Sequence, residues 1–201
     1  MQRTARNDGE TMKIKCGLTA VLKSEYTTTI LFALYFVCAS MLILFKGIFQ
    51  LSYIGLTGFS GRSVNLLPFL DLVHAVHSSA FLLRSLLIQY AINFCTFIPL
   101  GCYCACLIKD RVHYHGGQRH YTGMTVLFSL LLSIAYEVMK YAMECGASNI
   151  DNVIMGMAGG AVGAWLFVFI KSKSGDDSRR VVNILGLSVT AAAIVFGAIF
   201  L

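Results

Sequence analysis

Two carboxylates, Glu137 and Asp151, stand on either side of a short polar turn that joins two long apolar runs. Brought together by that turn, they could supply an acid and a base to a lipid-linked substrate, as paired carboxyls in unlike environments do. Each also has a plainer use. Lys140 follows Glu137 at i, i+3, a spacing at which the two can pair on one helix face. Ser148 and Asp151 make an S-x-x-D pattern ahead of an apolar run, the signal of a helix N-cap, where a carboxylate suits the positive end of the dipole. An ionisable group inside a membrane span costs about 2.5–3.5 kcal/mol on insertion scales, so Glu137 must face protein or water.

A second polar stripe lies upstream, where Gln89, Asn93 and Thr96 recur at i, i+4 and i+7. Such amides glue helices together as readily as they bind a ligand. Pro99, on the same run, frees the carbonyl of Cys95 and should kink the helix. Other groupings are weaker. Asp71, His74 and His77 spread over about 120° of a helix, and the histidines of 113–120 lack a Cys or carboxylate at ligand spacing, so neither a metal nor a cofactor is expected. Of Cys102, Cys104 and Cys106, only the first and last share a helix face, which suits reduced, packed thiols better than a cluster.

The elements that must position these groups are membrane helices. The chain is 57% hydrophobic and 13% charged, and the charges gather between long apolar runs. Five runs qualify as spans: Tyr26 to Phe45, Ser85 to Ile108, Thr122 to Met143, Asn152 to Ile170 and Val181 to Leu201. The fold class is therefore all-α, a polytopic bundle of about five transmembrane helices, with an interfacial segment between the first two. There Gly55, Gly58 and Gly61 interrupt any helix, and Leu70 to Leu83 reads as a short interfacial helix after Pro68. Residues 1–25 form a basic tail, 26–171 the main membrane domain, and 172–201 a loop and a last span.

The net charge of +6 does not indicate nucleic acid, because the basic residues flank the apolar runs. By the positive-inside rule the N-terminus is cytoplasmic and the C-terminus external. On the third span Ser129, Ser133, Tyr136, Glu137, Lys140 and Glu144 share one face, with Leu131, Ile134, Ala135, Val138 and Ala142 opposite. On the fourth, Asn152, Gly156, Gly159, Gly160 and Gly163 make a narrow stripe of two interleaved GxxxG patterns. That face permits close helix contact, within the chain or between chains of a homo-oligomer.

Four stretches resemble the VanZ-like family of small membrane proteins, named for an accessory protein of teicoplanin resistance. Val64 to Phe69 resembles its N-L-x-P-F segment, and Asn93 to Gly101 matches its N-x-x-x-F-x-P-L-G. Ser129 to Glu137 resembles its S-L-x-x-E helix, and Asp151 to Gly163 its acidic hairpin end. The chain departs from the pattern at Lys140, Ala147, Asn152 and Gly156, where the family often has Gln, Arg, Asp and Asn. The resemblance implies a plasma-membrane protein that lowers sensitivity to teicoplanin-type lipoglycopeptides through an outer-leaflet binding or membrane-modulating action. Its ligands would be membrane lipid, a lipid-linked cell-wall precursor or the lipoglycopeptide. The candidate binding set is then Asn65, Asn93, Glu137, Lys140, Asp151 and Asn152, with Pro99 and the four glycines as packing residues. Two alternatives remain beside it: an envelope enzyme using Glu137 and Asp151, and a structural helix partner in a larger complex.

Overall fold

The computed structural model describes residues 19–54, 64–112, 117–144 and 147–200. In chain order the elements are α1 (Glu25–Ile54), β1 (Val64–Asn65), α2 (Leu70–Ser78), α3 (Ala80–Val112), α4 (Gln118–Ala142), β2 (Ser148–Asn149), α5 (Ile150–Ser174), a 3-10 turn (Gly175–Asp177) and α6 (Ser178–Phe200). Most of the basic tail, the glycines at 55, 58 and 61, His113, His115 and Cys145 lie outside the described residues.

Among the described residues, four stretches are long and apolar enough to cross a membrane: Glu25–Leu44, Ala80–Arg111, Gln118–Ala142 and Ile150–Val195. The last holds 46 residues, which as one helix would run about 70 Å, more than twice a hydrocarbon core. It is two helices. Gly175, at φ 52 and ψ −120, takes a positive-φ conformation that glycine adopts without steric cost, which ends α5 and lets α6 turn back. The bundle is all-α as its apolar runs indicate, and the protein is a multi-pass membrane protein.

The boundaries differ from the apolar runs in two instructive places. Helix α1 continues past Phe45 to Ile54. The interfacial helix stops at Ser78 instead of reaching Leu83, because Ser79 is extended at φ −161 and ψ 148. Its hydroxyl accepts from Leu82 N at 3.3 Å, so Ser79 caps α3, which begins at Ala80.

Helix α4 is inside out by the standards of a soluble protein. It buries Tyr121, Thr125, Ser129, Ser133, Tyr136, Glu137 and Lys140, while Leu127, Leu131, Ile134 and Val138 are exposed. In a membrane the apolar face meets lipid, and the polar face must find partners inside the bundle. Glu144 leaves the stripe: it is exposed and at φ 56, beyond the end of the helix.

The glycines of α5 divide between two neighbours. A Cβ at Gly156 or Gly160 would strike the side chain of Ser133 or Ser129 on α4. One at Gly159 or Gly163 would strike the carbonyl of Phe94 or Ile98 on α3, and one at Gly101 would strike the backbone of Gly160. Each GxxxG pattern thus serves one partner helix of the same chain, and the glycine face is covered without a second copy.

Helices α3 and α5 run in the same direction in direct contact, and α4 packs antiparallel against α5. Helix α1 closes the core: Tyr35 OH donates to Thr96 O at 3.1 Å, one residue past the carbonyl that Pro99 frees, and Ser40 Oγ meets Tyr136 OH at 2.7 Å. Tyr136 stands edge-on to Phe97, and Cys102 and Cys106 join the same core as packed thiols. Gly186 of α6 lies against the hydroxyl of Tyr103.

Candidate functional site

One end of the bundle gathers nearly all of the sequence candidates, and it does so through backbone as much as side chain. β1 and β2 pair in parallel, Val64 with Ser148 and Asn65 with Asn149, which ties the connection after α1 to the turn between α4 and α5. Two residues of strand on each side cannot hold alone. The surrounding side chains hold them.

Asn149 is the hub. Its side chain accepts from Asp151 N at 2.8 Å, making it the N-cap of α5. Its Nδ2 donates to Asp71 Oδ2 at 2.5 Å, and its backbone N–H donates to Glu137 Oε2 at 3.0 Å. Asp71 Oδ1 accepts from Asn65 Nδ2 at 2.9 Å, and Asn65 Oδ1 accepts from Leu67 N at 3.0 Å.

Glu137 completes its bonding with Lys140, whose Nζ lies 2.5 Å from Oε1. Their side chains are only 10% and 3% exposed, so the i, i+3 pair is a buried one. The Ser148 hydroxyl donates to the backbone carbonyl of Glu137 at 2.6 Å instead of capping α5. The S-x-x-D cap therefore gives way to an Asn149 cap, and the Asp151 carboxylate is released for other partners.

Those partners are distant in sequence. Asp151 is fully buried; Oδ1 accepts from Phe69 N at 2.7 Å and Oδ2 accepts from the Tyr90 hydroxyl. Phe69 sits at φ 59, a left-handed conformation that costs a residue with a Cβ about 1–2 kcal/mol. The bond to Asp151 helps to hold that turn. One position further, Asn93 Nδ2 donates to Asn152 Oδ1, and the Asn152 carbonyl accepts from Ser133 Oγ at 3.3 Å. Asn152 Nδ2 is buried with no hydrogen-bond partner among the described residues.

All six candidate binding residues thus lie in this joint. Asn65, Glu137, Lys140 and Asp151 belong to the network that Asn149 organises, and Asn93 with Asn152 lies beneath it. Asp71, His74 and His77 do not converge: Asp71 enters the joint, while both histidines are exposed. Among the described residues there is no group of three side chains able to hold a metal.

The chemistry available is set by this saturation. Each oxygen of Glu137, Asp151 and Asp71 already accepts a hydrogen bond or a lysine ammonium. No hydrogen bond links the Glu137 and Asp151 carboxylates, because Asn149 stands between them.

The stretches brought together here, Val64 to Phe69, Asn93 to Gly101, Ser129 to Glu137 and Asp151 to Gly163, fall inside one span of family similarity. The sequence profile of the VanZ/LLP1 family matches residues 32–171. The chain belongs to the VanZ/LLP1 family. No curated protein and no solved structure matches it.

Within a VanZ/LLP1 chain the departures acquire physical meaning. Lys140 is the counter-charge of Glu137, Asn152 pairs with Asn93, and Gly156 makes room for Ser133. Three contributors were not visible as such in the sequence. Asn149 carries the ordinary preference of Asn for an N-cap, a signal outweighed by the neighbouring Ser148 pattern. Tyr90 and Asp71 carry no local signal, since their partners lie 61 and 78 residues away.

Proposed function

We propose that this protein lowers the sensitivity of a cell to teicoplanin-type lipoglycopeptides, acting at the membrane surface where the Asp151 end of the bundle emerges. The family match over residues 32–171 carries this reading, since it encloses every residue of the joint. The charge distribution supports an outward-facing joint: Lys23, Lys109, Arg111, Lys171, Lys173 and Arg179 all lie at the opposite end, which the positive-inside rule assigns to the cytoplasm.

The mode of action is binding or membrane modulation. Each oxygen of the Glu137 and Asp151 carboxylates is engaged in holding the joint together, which favours this reading over acid–base turnover. The test is the teicoplanin susceptibility of a sensitive host that expresses wild-type protein or the double variant Glu137→Gln with Lys140→Met, with membrane abundance measured in parallel. The expected result is reduced susceptibility with the wild type, and normal abundance without protection for the double variant. Wild-type protein that gives no protection would remove the function. A fully protective double variant would make the pair structural.

A further inference from the structure

The end of the bundle opposite Asp151 carries more positive charge than its own carboxylates balance. Asp110 is held by Arg179 and Asp177 by Lys23. Lys109, Arg119, Lys171 and Lys173, which close α3, open α4 and close α5, have no ion-pair partner among the described residues.

Several observations meet at one corner of this end. Helix α4 starts after Gly117 with no side-chain cap and no acidic residue in its first turn; His120 N–H donates to Gly117 O at 2.9 Å, while the N–H groups of Gln118 and Arg119 have no acceptor among the described residues at the positive end of a 25-residue helix. Tyr121 lies one turn in, and helical side chains lean toward the N-terminus, which carries its phenol back toward that opening. The residue is only 4% exposed, and its hydroxyl has no hydrogen-bond partner among the described residues. A buried hydroxyl without an acceptor is costly unless something absent from the chain supplies one. Phe167 meets the ring edge-on at 6.1 Å, and the Lys171 ammonium lies 5.5 Å from its centroid. Lys109 and Asp110, at the end of α3, are both within electrostatic reach of Lys171, and the Asp110 carboxylate is engaged by Arg179.

We propose that this corner, between the α4 N-terminus, Tyr121, Lys171 and Lys109, binds the phosphate of an anionic lipid headgroup. The phosphate oxygens accept from the Tyr121 hydroxyl and the first N–H groups of α4, and the two ammonium groups balance the charge. Depth selects a lipid as the source. Helix α5 covers about 30 Å between Asp151 and Lys171, the thickness of a hydrocarbon core, which puts Lys171 at headgroup level when Asp151 marks the other boundary.

The experiment is native mass spectrometry of the purified full chain in detergent, with phosphatidylglycerol, phosphatidylcholine and inorganic phosphate as separate probes. Phosphatidylglycerol should be retained about tenfold more than phosphatidylcholine. Retention should fall about tenfold in the double variant Lys109→Gln with Lys171→Gln, and about threefold in Tyr121→Phe, which keeps the ring. Arg180→Gln should leave retention unchanged. Equal retention of the two lipids, or undiminished phosphatidylglycerol in Tyr121→Phe, would overturn the site. Displacement of the lipid by millimolar inorganic phosphate would overturn the lipid as source and leave a free phosphate in its place.

Discussion

The two ends of this bundle both carry charge, and they hold it in opposite ways. At the Asp151 end, Glu137 and Lys140 pair with side chains 10% and 3% exposed, and neutral donors fill every remaining carboxylate oxygen. At the other end, Arg179 and Asp110 are each 25% exposed, and Lys23 and Asp177 are about half exposed. The difference teaches what each end can tolerate. A buried charge stripped of its partner has no water to turn to, whereas an exposed one exchanges a partner for solvent at little cost.

The largest effect should therefore come from breaking the buried pair on one side only. Glu137→Ala leaves the Lys140 ammonium and the Asn149 N–H without acceptors, at an expected cost of about 3–5 kcal/mol. Folded yield in mild detergent should drop sharply. The double change Glu137→Gln with Lys140→Met should restore most of it, because no uncompensated charge remains. A single variant as stable as the wild type would place water at the pair and erase the contrast between the ends.

Asp151→Asn is the next step down. It keeps one acceptor oxygen and turns the other into a donor facing the Tyr90 hydroxyl, for a cost of about 1–3 kcal/mol. Tyr90→Phe made in that background should add little, since the two residues share one bond. Additive losses in denaturant titration would mean that Tyr90 acts through packing alone.

The smallest effects belong to the other end. Arg179→Gln should cost about 1 kcal/mol or less. Lys23 holds the Asp177 carboxyl below the usual carboxylate range, chiefly by donating a hydrogen bond to it. A depressed folded-state value means that the pair stabilises above the ordinary carboxylate pKa and ceases to as pH falls through the depressed value. Lys23→Gln should thus leave Tm nearly unchanged at neutral pH and flatten only a slight loss on acidification. A large loss at neutral pH would make this end as dependent on its charges as the Asp151 end.

Much of the architecture was legible in the sequence because membrane helices are long and their patterns regular. The polar face of α4 and the glycine face of α5 follow from 3.6 residues per turn, and the structure keeps both. The sharing of the glycines between α3 and α4 was not legible, because an angle on one helix does not say how many neighbours surround it. The joint was legible in its members and not in its wiring. Glu137 with Lys140 is local, and spacing alone finds it. Asp71 to Asn149 and Tyr90 to Asp151 depend on a two-residue parallel pairing between segments far apart in the chain, for which no periodicity exists. Ser79 shows the same limit on a small scale, since a single cap inside an apolar run shifted a boundary that hydropathy placed at Ser85.

The central claim is that the segment from Val64 to Phe69 is fixed to the α4–α5 turn in one parallel register, and a cross-link tests it most directly. Val64→Cys and Ser148→Cys, introduced together after replacement of the seven native cysteines so that Asn65 and Asn149 keep their bonds, should form an internal bridge under mild oxidation in membranes. The bridge should be seen as a protease-resistant link between the two segments that reductant releases. Val64→Cys combined with Ser172→Cys should not bridge. Folded protein in which the 64–148 pair stays reduced, or links only between chains, would contradict the joint described here.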